Sequence, residues 1–472
     1  MAIKTKKRKK ISKAVRLGNS FAFFYPKNPG SKPWPVKVKS KNDPNKLVYR
    51  KPADFLNSSF GRIFRTKFGT RKRLKLRYPA LSGPQIVRAA LECGYGRKGM
   101  WNSRLMFSPI ESKDLAAYLM KRLLMVVSCV KIGNNDAYVV QGFYSKIEPS
   151  EKVAISFIIG GMGSYVAAKH WLNAAGQHIS KMLHTSIYTT AAIPGVKTNP
   201  TGTEKSPDYL ILSSSNEWHV FESKGGTHSG RYKRIQEGLL QLGHITSVGW
   251  SGKPQTPVVT NVCTHVSIDG GKKLEVLAYD PPGEMEMQKA VTLDKAVCYL
   301  LTITESLDQF NAVNNEPEAS GHWTFKELHT GSGLRIAIPK KYLLLENQMR
   351  IKLGLFMLVS ESLTIYSDRR VWQADSLTKI VERLLRLKIS MPQSESIIPD
   401  FINFIEQLSN VDSPDYFIEL CREKLDIDAE FIGFENALIE AKRGLGISVN
   451  DSLDDAPDMT FTSGGMLITE YD

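Results

Sequence analysis

Two short apolar runs joined by five turn-type residues place the tightest constraint on what this chain can fold into. Asp208 opens the first run, Tyr209-Leu210-Ile211-Leu212, and Ser213-Ser214-Ser215-Asn216-Glu217 form the break. The second run, Trp218-His219-Val220-Phe221, ends in Glu222-Ser223-Lys224-Gly225-Gly226. Such runs read as a β-hairpin. Symmetry about Ser215 puts Leu212 opposite Trp218 and Asp208 opposite Glu222. Opposed residues of an antiparallel pair hold their Cβ atoms about 4.5–5.5 Å apart, where like charges repel. A divalent cation between the two carboxylates removes that penalty. Period-two alternation puts Lys224 on the face of Glu222, so two carboxylates and one ammonium are expected to converge.

Pro207-Asp208, thirteen intervening residues and Glu222-Ser223-Lys224 resemble the motif of the PD-(D/E)XK nuclease superfamily, over roughly residues 150–285. The resemblance implies an α/β fold, a restriction-endonuclease-like mixed-sheet core flanked by helices. It implies Asp208 and Glu222 as ligands of Mg²⁺, with Mn²⁺ as a substitute, Ser223 as a ligand through its carbonyl, and Lys224 as the group that positions water. Many members carry a glutamine on the following helix. Gln236 and Gln241 are both available, and Gln236, which borders the apolar stripe of that helix, is the better candidate. The implied activity is Mg²⁺-dependent endonucleolytic hydrolysis of DNA, with double-stranded DNA as partner, in prokaryotic restriction or anti-phage defence. A repair or recombination nuclease shares the chemistry. The alternative of another class is a non-catalytic nucleic-acid-binding or assembly subunit on a degenerate nuclease fold. The first helix of the superfamily often supplies a further acid, but residues 161–170 hold none. Glu204 is the remaining candidate for a second metal site.

Two other Glu-x-Lys triplets occur. Glu111-Ser112-Lys113 has no suitably placed aspartate before it, and Glu440-Ala441-Lys442 sits in a pattern of Phe431, Phe434, Leu438 and Ala441 that marks an amphipathic helix. Only the triplet at Glu222 ends a β-type run.

Charge is distributed unevenly. Residues 1–100 carry 27 Lys and Arg against three acids, a net +24, while the whole chain is at +16. A basic end on a mildly acidic body points to a polyanion, because cationic side chains release counterions from nucleic acid. Residues 1–80 interleave aromatics with basic residues, notably Arg71, Lys72 and Arg73, and form the expected nucleic-acid-binding region, with the first ten residues disordered until bound. Arg231, Lys233 and Arg234 at the start of a later helix are further phosphate contacts. Five widely spaced cysteines form no C-x-x-C pair, which suits a reducing cytoplasm. No apolar run is long enough to span a bilayer, and no secretory signal is expected. A homodimer or partner subunits of a multi-protein system fit this class.

Along the chain, residues 81–149 read as a helical and mixed connection, with helices over 84–93 and 112–127 and a strand over 137–144. Ser150 is expected to cap a helix over 151–172, whose Gly160-Gly161-Met162-Gly163 step permits close packing. A helix over 231–242 and strands over 258–268 and 274–279 complete the core. Beyond it come a mixed extension over 286–370, helical at 287–312, a strand at 333–339 and mixed at 342–366, then a helical C-terminal domain over 371–450. Residues 451–472, with six acids and no basic residue, read as an acidic flexible tail. None of the nine histidines has ligand spacing; His228, four residues after Lys224, is the one worth locating.

Overall fold

The computed structural model describes residues 15–16, 22–24, 37–39, 47–49, 80–92, 109–133, 137–185, 197–198, 207–242, 245–280, 290–329, 332–367, 374–390, 396–408, 411, 413–448, 456 and 458–470. Among them the chain is mixed α/β, with ten α-helices and several mixed sheets. No helix among the described residues is long and apolar enough to cross a membrane.

The expected hairpin lies inside a six-stranded sheet. In chain order the relevant elements are β1 (Ala22–Phe24), α1 (Pro149–Ala174), β2 (Ile179–His184), β3 (Tyr209–Ser213), β4 (Trp218–Gly226), α2 (Arg231–Leu242), β5 (Thr260–Ser267) and β6 (Glu275–Tyr279). The strand order is β1-β6-β5-β4-β3-β2. β3 and β4 pair antiparallel with Leu212 opposite Trp218, the register that symmetry about Ser215 requires. Asn216 closes the turn with a φ of 59°, a conformation Asn tolerates better than most residues. β4 is parallel to β5; a parallel pair needs a crossover, and α2 supplies it.

β3 is an unbroken apolar run because both faces of the sheet are covered. Tyr209, Ile211 and Phe221 pack with Ile158, Ile159 and Tyr165 of α1 on one face. Leu210, Leu212 and Val220 pack with Ile235, Leu239 and Leu242 of α2 on the other. Glycines let α1 approach β4 and β5 at backbone distance. A Cβ on Gly225 would lie 1.9 Å from the Ser156 carbonyl oxygen, and one on Gly163 would lie 2.0 Å from Val266 Cγ2. Ser164 bonds the Thr264 hydroxyl at 2.6 Å, which donates to the Glu222 carbonyl at 3.1 Å. The Glu-x-Lys segment is thus held from the helix as well as from its sheet neighbours.

Several elements differ from the expectations. α1 is capped by Glu148, not Ser150: Pro149 occupies the first turn, and Glu148 and Glu151 form a reciprocal capping box. The strand at 137–144 shortens to Tyr138–Val140, followed by a 3-10 turn over Gly142–Lys146. Residues 287–312 are not all helical; Ala290–Leu293 is a strand parallel to Ser247–Trp250, and Asp294 then caps the helix Lys295–Ala312 by accepting from Val297 N at 3.0 Å. The stretch at 342–366 belongs to one helix, Lys340–Ser367. Its pattern looked mixed because Met349, Ile351, Leu353, Phe356, Leu358 and Val359 are all buried, so no single apolar stripe exists.

The acidic C-terminal stretch is no tail over its described part. Met459–Phe461 and Leu467–Glu470 form a hairpin that pairs with Leu334–Pro339 in a five-stranded sheet. Its described acids are exposed Asp458 and half-buried Glu470, and Phe461, Met466, Leu467 and Ile468 are buried. Ser463, in the turn, receives the Met182 N–H at 3.0 Å and donates its own to Glu92 at 2.6 Å. At the other end, β1 adds to the sheet edge beside β6, and Val15–Arg16 pairs with Ala80–Leu81. The basic N-terminal region thus joins the core sheet through Ala22–Phe24, while Val15–Arg16 and Ala80–Leu81 form a two-stranded sheet of their own. The C-terminal helices share that core: one apolar cluster runs from Leu210 and Ile235 through Leu301 and Phe356 to Phe434.

Candidate active site

Asp208 stands at the entrance to β3 and Glu222 in the middle of β4. Their main chains are tied reciprocally. The Asp208 N–H donates to Glu222 Oε2 at 3.0 Å, while Asp208 Oδ2 accepts from Ser223 N at 2.9 Å and from Ser223 Oγ at 2.7 Å. The Asp208 carbonyl in turn accepts from Thr185 N at 2.7 Å. Each carboxylate is thereby oriented by the other's strand, as the hairpin register demands.

Lys224 reaches back along β4 and pairs with Glu222 Oε1. It also donates to Gln241 Oε1 at 2.5 Å. Glu222 has no exposure to solvent. Burial, and then the Asp208 charge, push its carboxyl up to about 8, with Lys224 opposing. Burial works to lower the Lys224 ammonium, but Glu222 and Asp208 outweigh it and hold it above its ordinary value. Only when Glu222 is ionised as well as Asp208 do the carboxylates outnumber the ammonium.

α2 comes down close on the site. A Cβ on Gly238 would lie 2.5 Å from Cys263 Sγ, 3.0 Å from Glu222 Cγ and 3.3 Å from Lys224 Cε. Gly238 is a site residue that the sequence reading missed, and Gln241 is one that it named but ranked below Gln236. The apolar stripe at Ile235, Leu239 and Leu242 faces the sheet core, whereas Arg234, Gly238 and Gln241, at steps of four and three, form the neighbouring face over the strand ends. Gln241 is thus the glutamine of the helix that the structure brings to Lys224. Gln241 and Gln236 lie about 140° apart around the helix, and the Gln236 side chain lies outside the described residues.

These groups open into a cleft of about 360 Å³. α1 lines one wall with Lys152, Val153, Ser156 and Phe157, and α2 lines the other with Arg234 and Gln241. No carboxylate of α1 faces the cleft, in keeping with the acid-free stretch noted in the sequence. Among the described residues, no three His, Cys, Asp or Glu side chains cluster as a metal-binding group. Glu204 lies outside them, as do Arg71, Lys72, Arg73 and the side chain of Lys233.

His228 sits apart from the cleft. Its Nδ1 lies 3.0 Å from Glu275 Oε2, its N–H donates to Asp269 Oδ2 at 3.0 Å, and the Arg231 guanidinium leans on its ring. His219 is bonded to Thr260 Oγ1 at 2.8 Å and pushed down to about 4, chiefly by burial. The Glu440-Ala441-Lys442 triplet is helical, inside Ile427–Gly444.

No family model, no curated protein and no solved structure matches the chain.

Proposed function

We propose that the protein is a metal-dependent nuclease that hydrolyses DNA phosphodiester bonds, with restriction or anti-phage defence as its setting. The observation that carries the reading is the convergence of Asp208, Glu222 and Lys224 at one end of a hairpin, on the floor of an open cleft. The element order α1-β2-β3-β4-α2-β5, with β4 parallel to β5, supports a restriction-endonuclease-like core around it.

The donor set fits a hard divalent cation. Oxygen ligands suit Mg²⁺, which keeps several waters and uses one or two carboxylates. Among the described residues Asp208 Oδ1 accepts no hydrogen bond, whereas Oδ2 is engaged twice. Asp208, Glu222 and the Ser223 carbonyl would hold Mg²⁺ or Mn²⁺. When bound, the ion would polarise the phosphate and neutralise charge developing on the leaving oxygen. Lys224, fixed between Glu222 and Gln241, holds the attacking water in line and favours its deprotonated form. Gln241 keeps the ammonium aimed, and Ser223 fixes the Asp208 rotamer. Arg234, on the cleft wall, neutralises the backbone of the bound strand.

One observation favours a second reading, a nucleic-acid-binding subunit without catalysis: α1 offers the cleft no acid. Incubation of plasmid, linear and single-stranded DNA with Mg²⁺ or EDTA separates the two. Mg²⁺-dependent cleavage that is lost in Lys224→Ala and kept in Lys442→Ala supports the nuclease. Binding with no cleavage by the wild type on any substrate refutes it.

A further inference from the structure

The walls of the cleft are chemically unlike. On the α1 side Phe157 is 53% exposed and Val153 66% exposed. They lie one turn apart, and both line the cleft. Side chains so exposed add little to the core, yet they stand beside an ionic floor of buried Glu222 and half-buried Asp208 and Lys224. On the α2 side Arg234 lies across Gly226, where a Cβ would come within 2.6 Å of Arg234 Nε. Among the described residues no carboxylate pairs with this guanidinium. The other cation at the rim, Lys152, already donates to the Ser145 carbonyl at 2.7 Å.

An aromatic side chain on one wall of the cleft and a cation on the other match the two halves of a nucleotide. Every base has a π-face that stacks on an aromatic ring, and the backbone phosphate seeks a cation. A base that stacks on a wall ring has left the stack of its own duplex, so such a site takes a strand that is unpaired there. Resting on the nuclease reading above, we propose that the strand is cut where it is unpaired. The base beside the scissile phosphate stacks on Phe157, and Arg234 holds the neighbouring phosphate. Intact double-stranded DNA, the partner implied by the family resemblance, would have to open locally to reach Lys224.

The test uses the full-length protein, one end-labelled oligonucleotide as a single strand, and the same strand annealed to its complement. With Mg²⁺, the wild type cuts the single strand faster. Phe157→Ala slows that reaction by about 5- to 150-fold, the range of one lost base–aromatic stack, slows the duplex reaction too because an opened strand uses the same wall, and melts at the wild-type temperature. Phe157→Trp restores the single-strand rate. A duplex cut as fast as the single strand overturns the proposal, as does a single-strand rate in Phe157→Ala equal to that of the wild type. A second readout needs no cleavage: in EDTA, the fluorescence of a 2-aminopurine oligonucleotide is quenched by the wild type and by Phe157→Trp, but not by Phe157→Ala. If the wild type cuts nothing, the nuclease reading fails and this quenching still decides the stacking. Quenching by Phe157→Ala equal to that by the wild type overturns it.

Discussion

Replacing Asp208 by Asn tests the charge arrangement of the site at nearly constant shape. The Asn carbonyl can take over both hydrogen bonds that Ser223 gives to Oδ2, so the change removes a charge and little else. Glu222 has an ordinary value of 4.5 and is pushed up to about 8 by burial first and Asp208 second. Between those two pH values the folded protein holds a proton that the unfolded chain has released. Stability from this group is therefore full below 4.5 and is lost as pH rises towards 8. At about 1.4 kcal/mol per pH unit the whole window is worth at most roughly 5 kcal/mol. Two unit charges about 5 Å apart at an effective dielectric of about 20 repel by roughly 3 kcal/mol. That repulsion disappears in the Asn variant, and the lost attraction to Lys224 trims the gain. In EDTA at pH 8 the variant is expected to be more stable than the wild type by about 1–3 kcal/mol. At pH 4.5, where Glu222 is protonated in both proteins, the order equalises or reverses. Mg²⁺ at about 100 times its dissociation constant adds about 2.7 kcal/mol to the wild type, and the variant loses most of this. Melting curves at both pH values, with EDTA and with millimolar Mg²⁺, read out all four cases. A variant that melts below the wild type at pH 8 in EDTA, or an equal Mg²⁺ shift in both proteins, would refute the reasoning.

Other consequences can be checked directly. Gln241→Ala removes the second partner of Lys224 and should slow cleavage on every substrate, whereas Gln236→Ala should leave the rate near that of the wild type; the reverse result would restore Gln236 to the site. Gly238→Ala places a methyl 2.5 Å from Cys263 Sγ and 3.0 Å from Glu222 Cγ, so it should cost about 1–3 kcal/mol in chemical denaturation and lower kcat more than it raises KM. Gly225→Ala meets the Ser156 backbone at 1.9 Å, and poor soluble expression is expected from the forced separation of α1 and β4; a wild-type melting temperature would show that the helix can yield. Changing Arg71, Lys72 and Arg73 to Ala should reduce the slope of log affinity against log salt by up to about 2.7, at roughly 0.9 per phosphate contact, and an unchanged slope would mean that this cluster does not touch the backbone.

What was legible in the sequence was what depends on neighbours along the chain. The two apolar runs of β3 and β4 and the polar turn between them determined the pairing of Leu212 with Trp218, and with it the meeting of Asp208 and Glu222. Local periodicity likewise separated the helical triplet at Glu440 from the strand triplet at Glu222. What only the tertiary structure decided depends on how distant elements are seated. The apolar stripe of α2 shows which face meets the core, but the site lies at the strand ends, under the adjacent face, and so Gln241 and Gly238 approach Lys224. The helix Lys340–Ser367 has no stripe to read because neighbours bury it on several sides. The C-terminal hairpin pairs with Leu334–Pro339 across more than a hundred residues, a contact that no window of sequence contains, and the high value of Glu222 exists only once folding has removed water from around it.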